Sequence, residues 1–239
     1  MKPMEKTLIA EPAPAALASS PDLHRPIASP WHTLLLIAIQ AFLSYRGRAG
    51  HLNPDRIALY ERTMFFEWMM LGLVLLGVWW HGSSLLSVLG ARWGSVRAVL
   101  RDLGIAILFL IVTIALGSFV GSLFPRGAHS SAAGAMLPQG RTELCFWIAL
   151  SLSAGICEEG IYRGYLQRQF GAFTKSVPAG ILLSAIAFGA AHSYQGLRQA
   201  VQIGILGALG GILAYLCRSL RPGMIAHTLQ DVLGGFVRH

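Results

Sequence analysis

The chain of 239 residues is 54% hydrophobic and only 13% charged, whereas a typical soluble domain is about 25% charged. This composition excludes an ordinary soluble protein and indicates an integral membrane protein. The net charge of +8 comes from basic residues in short loops between apolar runs. That pattern is typical of membrane topology and of contact with anionic lipids, and it does not indicate nucleic-acid binding.

Residues 1–30 hold six prolines and few large apolar residues, so they are predicted to form a disordered tail. Residues 31–239 are predicted to form a single transmembrane helical domain. About 20 apolar residues cross a bilayer as a helix. The predicted fold is therefore an all-α polytopic bundle of about seven spans, at residues 31–45, 60–80, 102–124, 142–167, 177–193, 197–217 and 222–237.

Two further features of this arrangement follow from the residue pattern. Residues 83–101 carry leucines at helical spacing together with arginines, which predicts an amphipathic interfacial helix before the third span. With the N-terminus inside, the inner loops carry ten basic residues and the outer loops eight. The positive-inside rule then favours a cytoplasmic N-terminus and places the acidic pair of the fourth span toward the cytoplasmic side.

That acidic pair, Glu158 and Glu159, is the most informative feature of the chain. A carboxylate at membrane depth costs about 2.5–3.5 kcal/mol on insertion scales, and the whole chain has only 11 acidic residues. Glu159 and Arg163 are four residues apart and can pair on one helix face. Glu158 is rotated by about 100° and faces elsewhere. The spacing therefore predicts one structural and one catalytic carboxylate.

Further polar groups lie in the later spans. His192 ends the fifth span, and His227 and Asp231 are one helical turn apart in the seventh. Carboxylates and imidazoles together can activate water as general base and acid, or they can bind zinc with an open position for water. Taken singly, these groups have structural explanations as a neutralised ion pair, an interfacial histidine and a packing pair. Glu67 in the second span is interpreted as a helix-interface or cavity residue.

Six polar groups in three apolar spans would carry a large insertion cost unless they meet, and their order along the chain resembles a known family. Glu158-Glu159-Gly-Ile-Tyr-Arg163 resembles the EExxxR motif of the CAAX-protease and bacteriocin-processing (CPBP, or Abi) intramembrane proteases. The segment from Phe188 to His192 resembles their FxxxH motif, and the segment from His227 to Asp231 their HxxxN or HxxxD motif. The resemblance covers about residues 85–237.

The resemblance implies a helical membrane bundle with a buried, water-accessible site, in a family that includes the eukaryotic type II CAAX prenyl protease. It implies that Glu158 and His192 activate the attacking water and that His227 and Asp231 stabilise the oxyanion, while Glu159 and Arg163 shape the site. Asp231 cannot donate a hydrogen bond unless it is protonated, so we expect it to orient His227 instead. The family is labelled as metalloprotease, yet a metal-free glutamate mechanism is also proposed for it. Any zinc would be held by Glu158, His192 and His227.

These observations predict an intramembrane endopeptidase that cleaves a membrane-associated peptide or lipidated protein, such as a prenylated CAAX-like or sorting-tail substrate. The bilayer is its other partner, and the expected location is a bacterial inner membrane. A non-enzymatic membrane scaffold, or a protein that uses the same polar cluster as a proton or ion path, is the alternative.

Overall fold

The computed structural model describes residues 25–48, 55–90, 93–123, 134 and 136–236. In this part of the chain the regular secondary structure is helical and no strand occurs, which confirms the predicted all-α class. Residues 1–24 of the predicted tail and most of the loop after the third span lie outside the described residues.

The bounds of the helices in the described part of the chain are as follows. They are α1 (Pro30–Arg48), α2 (Arg56–Trp80), α3 (Leu86–Leu89), α4 (Val96–Ser122), α5 (Arg141–Glu158), a π-helix (Glu159–Leu166), α6 (Gln167–Thr174), α7 (Val177–Ala191), a 3₁₀ turn (Ser193–Gln195), α8 (Leu197–Cys217) and α9 (Arg221–Gly234).

Four helices in the described part are long and apolar enough to cross a membrane. They are α2, α4, the continuous helix Arg141–Thr174 and α8. Helix α7 is apolar but has only 15 residues, and α9 has 14, against the roughly 20 that a span needs. The chain is thus an integral membrane protein, but the predicted count of seven spans is not confirmed.

The predicted amphipathic helix over residues 83–101 is wrong. The structure has the four-residue helix α3 there, and Gly90 follows it with φ of +86°, a left-handed conformation that ends a helix. Ser95 then caps a new helix, because its side chain accepts a hydrogen bond from the backbone amide of Ala98. These two local stop and start signals interrupt the leucine periodicity.

The last residues of the predicted tail pack against the helical bundle. Ile27 and Ala28 are buried, and both of their backbone amides donate to Oε1 of Gln169, at 2.7 and 3.3 Å. The Gln169 side chain is itself buried and donates back to the Ala28 carbonyl at 3.0 Å. A glutamine in α6 thus supplies the partners that this short segment needs in order to be buried.

The π-helix lies in the middle of the bundle, and all eight of its residues are buried. Its glycines allow close packing: a Cβ on Gly160 would lie 3.0 Å from Leu71 of α2. A Cβ on Gly164 would overlap the carbonyl oxygen of Val88 in α3. A π-helix widens the turn and re-aims side chains, and such segments are frequent at functional sites. Here it carries Glu159 and Arg163.

Candidate active site

A cavity of about 480 Å³ lies among α2, α4, α5, α7, α8 and α9. All six residues predicted from the sequence line it, namely Glu158, Glu159, Arg163, His192, His227 and Asp231. Helices far apart in the sequence therefore bring the three motifs to one place.

Glu158, the last residue of α5, lies between the two histidines. Its Oε1 is 3.7 Å from Nε2 of His192, and its Oε2 is 3.6 Å from Nε2 of His227. These separations are slightly too long for direct hydrogen bonds. The side chain is 17% exposed, and no arginine or lysine among the described residues pairs with it. Glu158 is therefore a carboxylate whose neighbours are imidazoles and the cavity.

His192 follows the last residue of α7, and the chain fixes its orientation. Nδ1 lies 2.9 Å from the carbonyl oxygen of Phe188. Because a carbonyl only accepts, Nδ1 carries the proton, and Nε2 of the neutral ring is left as an acceptor. The Phe188 ring packs edge-on against the imidazole, with the ring centroids 4.8 Å apart. The free nitrogen is thus directed toward Glu158.

His227 of α9 contacts three carboxylates. Its Nδ1 is 3.2 Å from Oε1 of Glu159. Its Nε2 is 3.6 Å from Oδ2 of Asp231 and equally far from Oε2 of Glu158. The close contact that orients the ring is therefore made by Glu159 and not by Asp231, the partner that the helical spacing predicted. With acceptors facing both nitrogens, the ring is suited to donate hydrogen bonds from both.

Glu159 and Arg163 form the ion pair that their spacing predicts. Arg163 Nη1 lies 3.1 Å from Glu159 Oε1, and both side chains are 4% exposed. Arg163 also donates from Nη2 to the Gly207 carbonyl at 3.2 Å, and its guanidinium lies over the Phe188 ring, 4.5 Å from the centroid. One oxygen of Glu159 thus joins the buried arginine to the imidazole of His227.

The glycines of α8 make room for this arginine. A Cβ on Gly210 would lie 3.0 Å from Arg163 Nη2, and one on Gly207 would lie 3.6 Å from it. On α9, a Cβ on Gly223 would lie 3.0 Å from Oε2 of Glu159. Two glycines of α8 thus accommodate a charged side chain.

Other groups that line the cavity were not predicted as site residues. Glu67 of α2 accepts a hydrogen bond at 2.6 Å from the buried hydroxyl of Ser153. Trp147 donates from its indole to the Asp231 carbonyl at 2.8 Å and so ties α5 to α9. Tyr194 also faces the cavity. For Glu67 the signal was a lone acid in an apolar run, but the other two resemble ordinary interfacial aromatics in the sequence.

The family resemblance implies that any zinc would be held by Glu158, His192 and His227. No group of three or more His, Cys, Asp or Glu side chains in the described part of the chain is arranged to hold a metal ion. The three predicted ligands therefore do not fit a metal site in this arrangement.

The acidic pair lies halfway along its helix. Glu158 is the eighteenth residue of the 34-residue helix Arg141–Thr174, which is about 51 Å long at 1.5 Å per residue. The pair is therefore far from both helix ends. Its placement toward the cytoplasmic side stays a prediction from the charges of the loops.

Comparison with known proteins gives one family. Residues 140–233 match a family model whose description is type II CAAX prenyl endopeptidase Rce1-like. No curated protein and no solved structure shows significant similarity to the chain. The matched segment includes all six predicted site residues, although it is shorter than the resemblance over residues 85–237. The family implies a protease, and through residues 140–233 the chain is related to the CAAX proteases.

Proposed function

We propose that the protein is an intramembrane endopeptidase that hydrolyses a peptide bond of a membrane-associated substrate by water activation. The observation that carries the proposal is the position of Glu158. Its two oxygens lie 3.7 and 3.6 Å from the Nε2 atoms of His192 and His227, beside a cavity of about 480 Å³. One water can bridge such a distance, and it would then contact both a base and a donor.

In the first step Glu158 and His192 hold the attacking water. Glu158 accepts its proton as the water oxygen bonds to the carbonyl carbon of the substrate. His192 accepts a hydrogen bond from this water through Nε2, since its Nδ1 is fixed on the Phe188 carbonyl. No covalent enzyme intermediate forms. The proton that Glu158 takes is later delivered to the nitrogen of the leaving amine, which balances the hydrolysis.

In the same step His227 stabilises the negative charge that develops on the carbonyl oxygen. Glu159 holds its Nδ1 at 3.2 Å, so the Nε2 donor is presented to the cavity without reorganisation. Arg163 keeps Glu159 in place. Asp231 lies beside the donor nitrogen at 3.6 Å and adds negative charge there, which supports a protonated ring.

The substrate class follows from the family and the membrane setting. The matched family is named for prenyl CAAX cleavage, so a prenylated CAAX-like peptide is the first candidate and an unlipidated sorting tail the second. A bacterial inner membrane and access from the cytoplasm belong to the same proposal and rest on the charges of the loops.

Purified protein in proteoliposomes should cleave a prenylated CAAX-type peptide or the same peptide without its lipid, as followed by mass spectrometry of the products. Glu158→Gln and His192→Ala should each abolish cleavage, because general-base contributions amount to about 10²–10⁴-fold. Glu61→Gln is the matched control, since Glu61 is an exposed acid on α2. Thermal unfolding should show that all variants remain folded.

Two results would contradict the proposal. One is cleavage that persists in both site variants. The other is proton or ion flux in the same liposomes that is lost in Glu158→Gln while no peptide is cleaved, which would favour the alternative of an ion path. Cleavage that survives removal of bound metal by a chelator would agree with the metal-free route.

A further inference from the structure

A second cavity of about 590 Å³ lies between α4 and α8. Thr113, Leu206 and Gln230 line both this cavity and the one that contains Glu158. The two spaces are therefore neighbours that share a wall, and Gln230 directly precedes the site residue Asp231. We call the second space the α4–α8 groove.

Several polar side chains line the groove, although α4 is a strongly apolar helix. Thr113 Oγ1 lies 3.1 Å from Gln230 Oε1, and Gln202 Nε2 donates to the Gly117 carbonyl at 2.8 Å. Among the described residues, Gln230 Nε2 and Gln202 Oε1 have no further partner. The groove thus offers a free donor and a free acceptor. A peptide backbone at membrane depth needs both, whereas a lipid chain needs neither.

Arg198 lies at the end of the groove near Gly121. A Cβ on Gly121 would be 2.8 Å from Arg198 Nη2, so the guanidinium lies against the backbone of α4. Arg198 is partly buried and has no hydrogen bond or ion pair with any residue that the structure describes. An arginine at a membrane helix that has no partner among the described residues is suited to bind an anionic group, and a carboxylate fits its planar fork.

We propose that the α4–α8 groove binds the substrate peptide beside the scissile bond and that Arg198 binds a carboxylate of that peptide. This inference rests on the proposed function for its substrate. It adds a specificity determinant outside the six site residues: substrates with a carboxylate on the segment in the groove are preferred. The carboxylate is either the C-terminal group of the peptide or an acidic side chain.

The test compares three versions of one peptide: a free C-terminal carboxylate, a C-terminal amide, and the amide with an added aspartate. Wild-type protein should cleave a carboxylate-bearing version with a KM about tenfold or more below that of the plain amide, since a charge-assisted hydrogen bond is lost without it. The version that has the low KM shows whether the carboxylate is the C-terminal group or an acidic side chain.

Arg198→Gln should remove the preference for a carboxylate and leave kcat unchanged, while Arg198→Lys should keep part of that preference. Arg97→Gln, at an exposed arginine of α4, is the control.

A second variant tests the groove without changing a charge. A Cβ on Gly117 meets nothing within 4 Å, so Gly117→Leu can occupy the groove without displacing its walls. It should raise KM for every peptide. Gly104→Leu on the same helix also meets nothing within 4 Å and lies outside both cavities, so it should have no effect.

Binding separates this inference from proteolysis. N-terminally labelled peptides bound to Glu158→Gln protein should show the same carboxylate preference by fluorescence anisotropy, and adding Arg198→Gln should abolish it, whether or not any peptide is cleaved. Equal binding of carboxylate and amide peptides would overturn the inference and leave the proteolysis intact. An effect of Arg198→Gln that appears only in vesicles with anionic lipid would also overturn it, because the arginine would then bind headgroups.

Discussion

Acidic side chains near the two ends of α9 have different basic partners. Near its start, Asp102 contacts Arg101 and Arg221, both at 2.8 Å, and accepts from the Trp93 indole at 2.9 Å. Near its end, Glu158 and Asp231 contact only imidazoles in the part of the chain that the structure describes. Arginine fixes a charge permanently, whereas an imidazole can exchange a proton. The first cluster therefore suits stability and the second suits acid–base chemistry.

Glu159 combines the two kinds of contact. Its Oε1 lies 3.1 Å from Arg163 and 3.2 Å from His227. Arg163 keeps Glu159 charged, and Glu159 in turn orients the imidazole of His227. Asp102 is thus paired only as a structural acid, Glu158 is the acid for which we propose a catalytic role, and Glu159 shares the contacts of both.

Apart from substitutions of Glu158 and His192, the largest loss of cleavage rate is expected from a substitution of His227. His227→Ala should lower kcat by about 10²–10³-fold, because removing one preorganised oxyanion donor costs that much. His81→Ala, at an exposed histidine after α2, is the control. Steady-state kinetics with the peptide assay checks this, and a change in KM alone would place His227 in substrate binding instead.

Breaking the buried pair should affect both stability and rate. Arg163→Gln leaves Glu159 buried without its arginine, which should lower the free energy of unfolding by about 3–5 kcal/mol. Loss of an orienting partner should slow cleavage by about 10–100-fold. The double variant Glu159→Gln with Arg163→Gln should regain much of the lost stability in thermal unfolding. Purely additive losses would show that the two side chains act independently.

A smaller effect is expected at Asp231. Asp231→Asn should stay within about tenfold of the wild-type rate, because the amide keeps the size of the side chain and can itself donate to the oxyanion. Asp231→Leu should lower the rate of cleavage further than Asp231→Asn does. If Asp231→Asn were as inactive as His227→Ala, the charge of Asp231 would be essential to the donor state of the ring.

The smallest effect on rate is expected at Asp102. Asp102→Asn should lower the thermal midpoint, because it leaves two arginines without their buried acid. The rate per folded molecule should stay near that of the wild type. A large loss of rate with an unchanged midpoint would show that the structural cluster takes part in catalysis.

Helical spacing and insertion cost made the core of the site predictable. The four-residue separations placed Glu159 beside Arg163 and His227 near Asp231, and the contacts are present. The cost of lone charges predicted that the three motifs would meet, and the structure brings all six residues to one cavity. The all-α class followed from composition and run length.

Features that depend on tertiary packing could not be predicted in this way. The π-helix has no local signature, because it follows from the close packing of Gly160 and Gly164 against α2 and α3. The glycines that make room for Arg163 could be identified only once it was known that α8 packs against this side chain. No local pattern in the sequence pairs Gln169 with the backbone of Ile27 and Ala28, which lie 142 and 141 residues away. The helix over residues 83–101 failed because local capping outweighed periodicity.

The most direct test of the account compares Glu158→Gln with Glu159→Gln, two neighbouring substitutions of the same kind. Peptide cleavage and thermal unfolding are measured side by side on the purified proteins. We predict that Glu158→Gln abolishes cleavage with an unchanged thermal midpoint, whereas Glu159→Gln lowers the midpoint and retains measurable cleavage. Identical behaviour of the two variants, or the reverse pattern, would contradict the division of roles between the paired glutamates.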